Sequence, residues 1–142
     1  MTSINFTIRG NPDDPNGNPL PKIKKTKWQQ WTPQAKRYAA WKEYAQMAFR
    51  DAIAAGHPEL MQQVGQCLVR TGHPIELGTF EKARMDIQIL WKNDAHADAE
   101  NVFGSIADAL FLNDKKLDGS FAGHKAADGK GRVEGTITIY RE

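Results

Sequence analysis

The chain has 142 residues, 25% of them charged, and a formal net charge of +2, a size at which one hydrophobic core stands without disulfides or a structural zinc. A lone cysteine, Cys67, excludes an internal disulfide and a cysteine-rich zinc site and points to a reducing, cytoplasmic compartment. No run approaches the roughly 20 apolar residues that span a bilayer, and the first nine residues alternate polar with apolar instead of forming a signal block, so one domain over 1–142 is expected, neither exported nor embedded.

Ile4, Phe6 and Ile8 alternate with polar neighbours, which predicts a half-buried strand, and the Pro, Gly, Asn and Asp residues of 10–21 predict a loop. In Lys22-Ile23-Lys24-Lys25-Thr26-Lys27-Trp28 the lysines fall on both strand parities, so 22–31 reads as an exposed basic arm or edge strand. Thr32-Pro33 reads as an N-cap followed by proline at the first helical position. Tyr38, Trp41, Ala45, Ala48, Phe49 and Ala52 follow at helical spacing, and Gly56 and Pro58 end the helix near 55. Up to Arg50 the chain carries a charge of +6, and beyond it −4. Such segregation suits a polyanionic partner on the basic part and a cation on the acidic part, although ordinary scatter gives the same figures.

Residues 57–80 are weakly patterned, with a helical turn expected at 60–64 and an extended piece at 67–70. The alternation over 82–91 predicts a core strand with Met85, Ile87, Ile89 and Trp91 on one side. An acidic loop, Asp94 to Asn101, then leads into a second amphipathic helix carrying Val102, Phe103, Ile106, Ala109 and Leu110. Val133, Gly135, Ile137 and Ile139 alternate after Asp128-Gly129-Lys130-Gly131, so the last fifth reads as a hairpin closing the sheet. The expected class is α+β: a small mixed sheet packed with two main helices.

The acidic loop concentrates carboxylates where a strand delivers the chain to a helix N-terminus. Magnesium takes oxygen ligands, usually one or two carboxylates with water and substrate phosphate, so Asp98 and Glu100 are candidate ligands. The simpler reading of the residues alone is a cap and a favourable charge for the helix dipole, each contributing about 0.3–1 kcal/mol. Asp114 follows the helix in Leu112-Asn113-Asp114-Lys115-Lys116, where it also suits a plain polar turn. A helix over about 98–111 is roughly 20 Å long, and three residues of return chain reach about 10 Å. Asp98 and Asp114 are therefore expected apart within one subunit, and two subunits pairing these helices antiparallel would bring them together. His96 reads as a solvated loop histidine.

Lys22, Lys24, Lys25 and Lys27 beside Trp28 and Trp31 suit phosphate contact with base stacking. Lysines on an edge strand also guard against aggregation, and tryptophans also build cores. Lys115, Lys116, His124 and Lys125 add positive charge after the acidic turn, with Lys125 placed to face a phosphate. Residues 119–126 lack the glycine spacing of a phosphate loop, and Gly129-Lys130-Gly131 precedes a strand and is a turn.

Taken in order, the strand ending near Trp91, the segment Asp98-Ala99-Glu100-Asn101, the helix through Ala107-Asp108-Ala109-Leu110, and Asn113-Asp114 resemble the RusA family of Holliday-junction resolvases, small endodeoxyribonucleases common in bacterial prophages. The likeness extends less specifically to the last hairpin with Lys125 and to the arm with Trp31-Thr32-Pro33, and leaves out 57–80. Asp98, Asn101 and Asp114 match the family's motif; Glu100 stands where a second Asp is usual, and Gly104 where the family has a lysine. The resemblance implies a homodimer that binds four-way DNA junctions and uses magnesium, or manganese, to make paired nicks in recombination and repair. Asp98, Glu100 and Asp114 are then the catalytic metal ligands, and Lys115, Lys116 or Lys125 takes up the missing lysine's role. The two departures leave a second possibility, a junction-binding protein of the same fold with impaired catalysis. A third is a metal-dependent hydrolase of small phosphate compounds, which has no use for a basic arm.

Overall fold

A computed structural model describes residues 1–23 and 32–141. Among them the chain forms strand β1 (Thr2–Arg9), helix α1 (Pro33–Gly56), helix α2 (Met61–Thr71), strand β2 (Glu81–Trp91), helix α3 (Ala99–Leu110) and strands β3 (Leu117–Lys125) and β4 (Arg132–Arg141), with short 3-10 turns at Pro58–Leu60 and Asp114–Lys116. The four strands make one mixed sheet in the order β1-β4-β2-β3. Its helices lie on one face, so the class is α+β. None of them is long and apolar enough to cross a membrane.

Alternation drives the sheet. Ile4, Phe6 and Ile8 of β1, Met85, Ile87, Ile89 and Trp91 of β2, and Val133 and Ile137 of β4 are buried on the helix side. The opposite face is polar and laced by side-chain bonds, Thr136 to Asn5 at 2.8 Å and Ser120 to Asp86 at 2.7 Å among them. One buried and one wet face is what period-two alternation dictates.

Helix α1 starts as the sequence predicts, with the Thr32 hydroxyl accepting from the Ala35 amide at 3.1 Å and Pro33 at the first helical position. Its buried stripe is Ala35, Tyr38, Trp41, Ala45, Phe49 and Ile53. Three polar contacts fix it to α3: Trp41 Nε1 donates to Ser105 Oγ at 2.9 Å, Tyr38 OH to Asp108 at 2.9 Å, and Gln46 Nε2 to the Ala109 carbonyl at 2.8 Å. Burial and the Asp108 carboxylate push the Tyr38 phenol far above its ordinary range.

Two expectations are corrected. Residues 67–70 are not extended but belong to α2, where Val64 and Cys67 are buried and Gly72, at φ 77°, closes the helix in the left-handed region. The last fifth is not a hairpin. Strand β2 separates β3 from β4, pairing parallel with β3 (Trp91 opposite Lys125) and antiparallel with β4 (Leu90 opposite Arg132). β2-α3-β3 is thus a parallel crossover unit with α3 in its long connection, and the chain through 126–131 passes over the end of β2 to reach β4. Gly119 lets β3 lie close, since a Cβ there would stand 1.9 Å from the Met85 carbonyl oxygen.

Candidate functional site

The acidic loop leaves the carboxyl end of β2, the side of an open sheet on which ligands are generally bound. Its course is set by residues far away in sequence. The Asn18 carboxamide accepts from the Lys92 amide at 2.7 Å and donates to Asn93 Oδ1 and the Ala95 carbonyl, each at 3.0 Å. Asn18 is itself held through its carbonyl by buried Asn11, at 2.8 Å. The Lys92 ammonium reaches Asp14 at 3.0 Å. The Asn16 amide, and secondly Lys92, hold the Asp14 carboxyl below its ordinary value. His96 stacks flat on Trp91, ring centroids 4.1 Å apart and 6° from parallel, so it braces the loop.

Asp98 then takes the N-cap position of α3. Its carbonyl accepts from the Asn101 and Val102 amides at 3.1 Å, but its side chain makes no capping bond. The local alternative raised by the sequence, a carboxylate spent on capping, is therefore not what the fold uses. Glu100 lies in the first turn, exposed like Asp98, and Asp114 is exposed at the turn after α3. No hydrogen bond or ion pair engages these three carboxylates among the described residues, a state they share with Glu43, Asp51 and Asp94, whereas Asp13, Asp14, Glu76, Asp86, Asp108 and Asp128 are each bonded to a basic partner.

The three acids do not converge in one chain: among the described residues, no three His, Cys, Asp or Glu side chains gather closely enough to hold a metal ion. Glu100 and Asp114 nevertheless line the same groove of about 380 Å³, together with Lys22, Asn101, Phe103, Gly104, Ala107 and Leu117. Residues 100, 103, 104 and 107 form one face of α3, so the groove follows the helix. Ten residues of rise, roughly 15 Å, separate Glu100 from the end of α3 where the chain turns toward Asp114.

The basic residues divide between the two ends. Lys125 is exposed opposite Trp91, at the end where Asp98 lies. Lys115 and Lys116 stand beside Asp114, a strand length of roughly 26 Å away. Lys115 is exposed, whereas the Lys116 ammonium caps the chain before β2 by donating to the Gly78 and Thr79 carbonyls at 2.7 and 3.3 Å. Lys22 joins the site directly: its amide donates to the Asn101 carbonyl at 2.8 Å, and its stem lies over Gly104. Lys24, Lys25, Lys27, Trp28 and Trp31 lie outside the described residues.

Sequence reading had no means of finding Asn18 as the organiser of the acidic loop or Lys22 as the neighbour of Gly104. Both act across long sequence separations and neither sits in a recognisable motif. The chain matches no protein-family model and no curated protein.

Proposed function

We propose that this protein is a magnesium-dependent, structure-selective endodeoxyribonuclease of the RusA type, a cytoplasmic homodimer that resolves four-way DNA junctions by paired symmetric nicks. One observation carries the reading: Asp98 occupies a helix N-cap without using its carboxylate as a cap, while the carboxylates of Glu100 and Asp114 on the adjoining groove are equally unengaged. Exposed acids of one sign near a helix terminus suit a hard cation with oxygen ligands.

Antiparallel pairing of two α3 helices would set Asp98 and Glu100 of one subunit against Asp114 of the partner subunit. These carboxylates would hold the ion, and Mn²⁺ suits the same donors. Bound there, magnesium would activate water and offset charge on the leaving oxygen. The hydrolysis adds one water across a P–O ester bond and leaves a phosphate monoester end and a hydroxyl end. Lys115 and Lys125 offset phosphate charge, and Lys24, Lys25 and Lys27 of the basic arm add phosphate contacts. Two sites related by a two-fold axis match a task of two symmetric cuts.

A labelled four-way junction incubated with and without magnesium tests this. Paired nicks are expected, lost in Asp98→Asn and Asp114→Asn while binding persists. Binding without nicks in either metal would favour the catalytically impaired junction binder that Glu100 and Gly104 suggest. Absence of binding would refute the nucleic-acid reading.

A further inference from the structure

Lys22 lines the same groove as the Glu100 and Asp114 carboxylates yet forms no ion pair among the described residues. Two contacts hold it in place. Its main-chain amide is tied to the Asn101 carbonyl in the first turn of α3, at 2.8 Å. Its aliphatic stem crosses the bare backbone of Gly104, where a Cβ would meet Lys22 Cδ at 3.6 Å and Lys22 Cβ at 3.8 Å. The root of this segment is fixed as well, because Ser105 Oγ lies 2.8 Å from the Leu20 carbonyl. A lysine normally spends its rotamer freedom in solvent. Here the stem crosses α3 at Gly104, on the wall of the groove that Glu100 and Asp114 also line.

We infer that Lys22 is the phosphate-contacting cation of the groove, and that positions 22 and 104 are two addresses for one charge. This rests on the phosphodiester reading above. A cation rooted on the wall of a groove that also carries ligand carboxylates would meet a non-bridging phosphate oxygen, whose negative charge grows as water attacks, so it would act more strongly on the reaction than on ground-state binding. Since a Cβ at 104 makes only ordinary contacts, a lysine placed there in a chain shortened at 22 would rise from the same wall into the same groove.

The test uses the full chain, a labelled four-way junction and four proteins: wild type, Lys22→Ala, Lys22→Ala/Gly104→Ala and Lys22→Ala/Gly104→Lys. Circular dichroism establishes that each is folded. Binding is measured in chelator across a salt series, and nicking with magnesium. Loss of one phosphate contact should lower the slope of log affinity against log salt by about one in Lys22→Ala, with nicking down about 100-fold. Gly104→Lys in that background should restore the slope and bring nicking to within about tenfold of wild type. Gly104→Ala should restore neither. An unchanged salt slope in Lys22→Ala, or a folded lysine-swapped protein no better than the alanine one, would overturn the assignment. A wild-type protein that fails to bind the junction would instead overturn the parent reading, and the two failures are told apart by which protein shows them.

Discussion

Replacing Ser105 by alanine is the sharpest probe of how the fold builds the site. Ser105 is fully buried and its hydroxyl is a three-way joint: it accepts from Trp41 Nε1 at 2.9 Å and donates to the Leu20 carbonyl at 2.8 Å or the Val102 carbonyl at 2.7 Å. Ser105→Ala leaves the fully buried Trp41 with an indole N–H that has no partner, a loss of about 1–3 kcal/mol. Alanine recovers a few tenths through helix propensity, so about 2 kcal/mol net is expected. At about 2.1 cal/mol/K of unfolding entropy per residue, that lowers Tm by about 7 °C. Thermal unfolding followed by circular dichroism measures it, with a double-mutant cycle through Trp41→Phe. Trp41→Phe should cost about 1 kcal/mol less in the Ser105→Ala background than in wild type. A Tm within about 1 °C of wild type, or additive effects, would refute the joint.

Gly104→Ala should raise stability by about 0.5–1 kcal/mol and Tm by about 2–3 °C, since the new methyl meets only the Lys22 stem and the helix gains propensity; a fall in Tm would show that α3 needs the glycine for its own packing. The Asp14 carboxyl, held below its ordinary value by the Asn16 amide and then by Lys92, binds fewer protons folded than unfolded as acid is added. Its stabilising effect is therefore complete above about pH 4 and fades as pH falls through the folded value. The difference in urea midpoint between wild type and Asp14→Asn should be constant from pH 7 to about 5 and shrink below about 4, and a difference that widens with acid would contradict this sign.

The strands β1, β2 and β4 were legible in the sequence because one face of each is buried and the other wet, so hydropathy alternates without interruption. α1 and α3 were legible through the Thr32-Pro33 start, the acidic first turn and their apolar spacing. α2 was missed in part because Gly65 interrupts a short and mostly polar segment, although Met61, Val64, Leu68 and Thr71 keep a helical period. β3 was hidden because its inward positions include Gly119 and Gly123, which carry no hydropathy signal. Its misplacement as a hairpin partner of β4 has a related cause. Turn chemistry at Gly129 states that the chain reverses, not that the flanking strands are neighbours, and here β2 fills the gap.

The candidate site was legible to the extent that it is local. Asp98 and Glu100 stand out at a strand-to-helix junction, and helix length places Asp114 at the far end of α3. What holds them is not local: the Lys92 amide meets Asn18 across 74 residues, and Lys22 meets Asn101 and Gly104 across a similar separation. Contacts of that kind follow from packing α3 beside the segment leading to Lys22, which no periodicity in either segment records.

The central claim is that a metal-dependent nuclease site is completed between two subunits, with Asp98 and Glu100 from one and Asp114 from the other. Subunit complementation tests it most directly. Asp98→Asn and Asp114→Asn proteins are unfolded together, refolded as a mixture and assayed with magnesium on a labelled four-way junction. Each alone should be inactive, whereas the mixture should regain about a quarter of the wild-type sites, because half of the dimers are mixed and each carries one intact site. Those dimers should release single nicks in place of paired ones. A mixture as inactive as its components, beside a wild-type protein that cuts, would contradict the shared site.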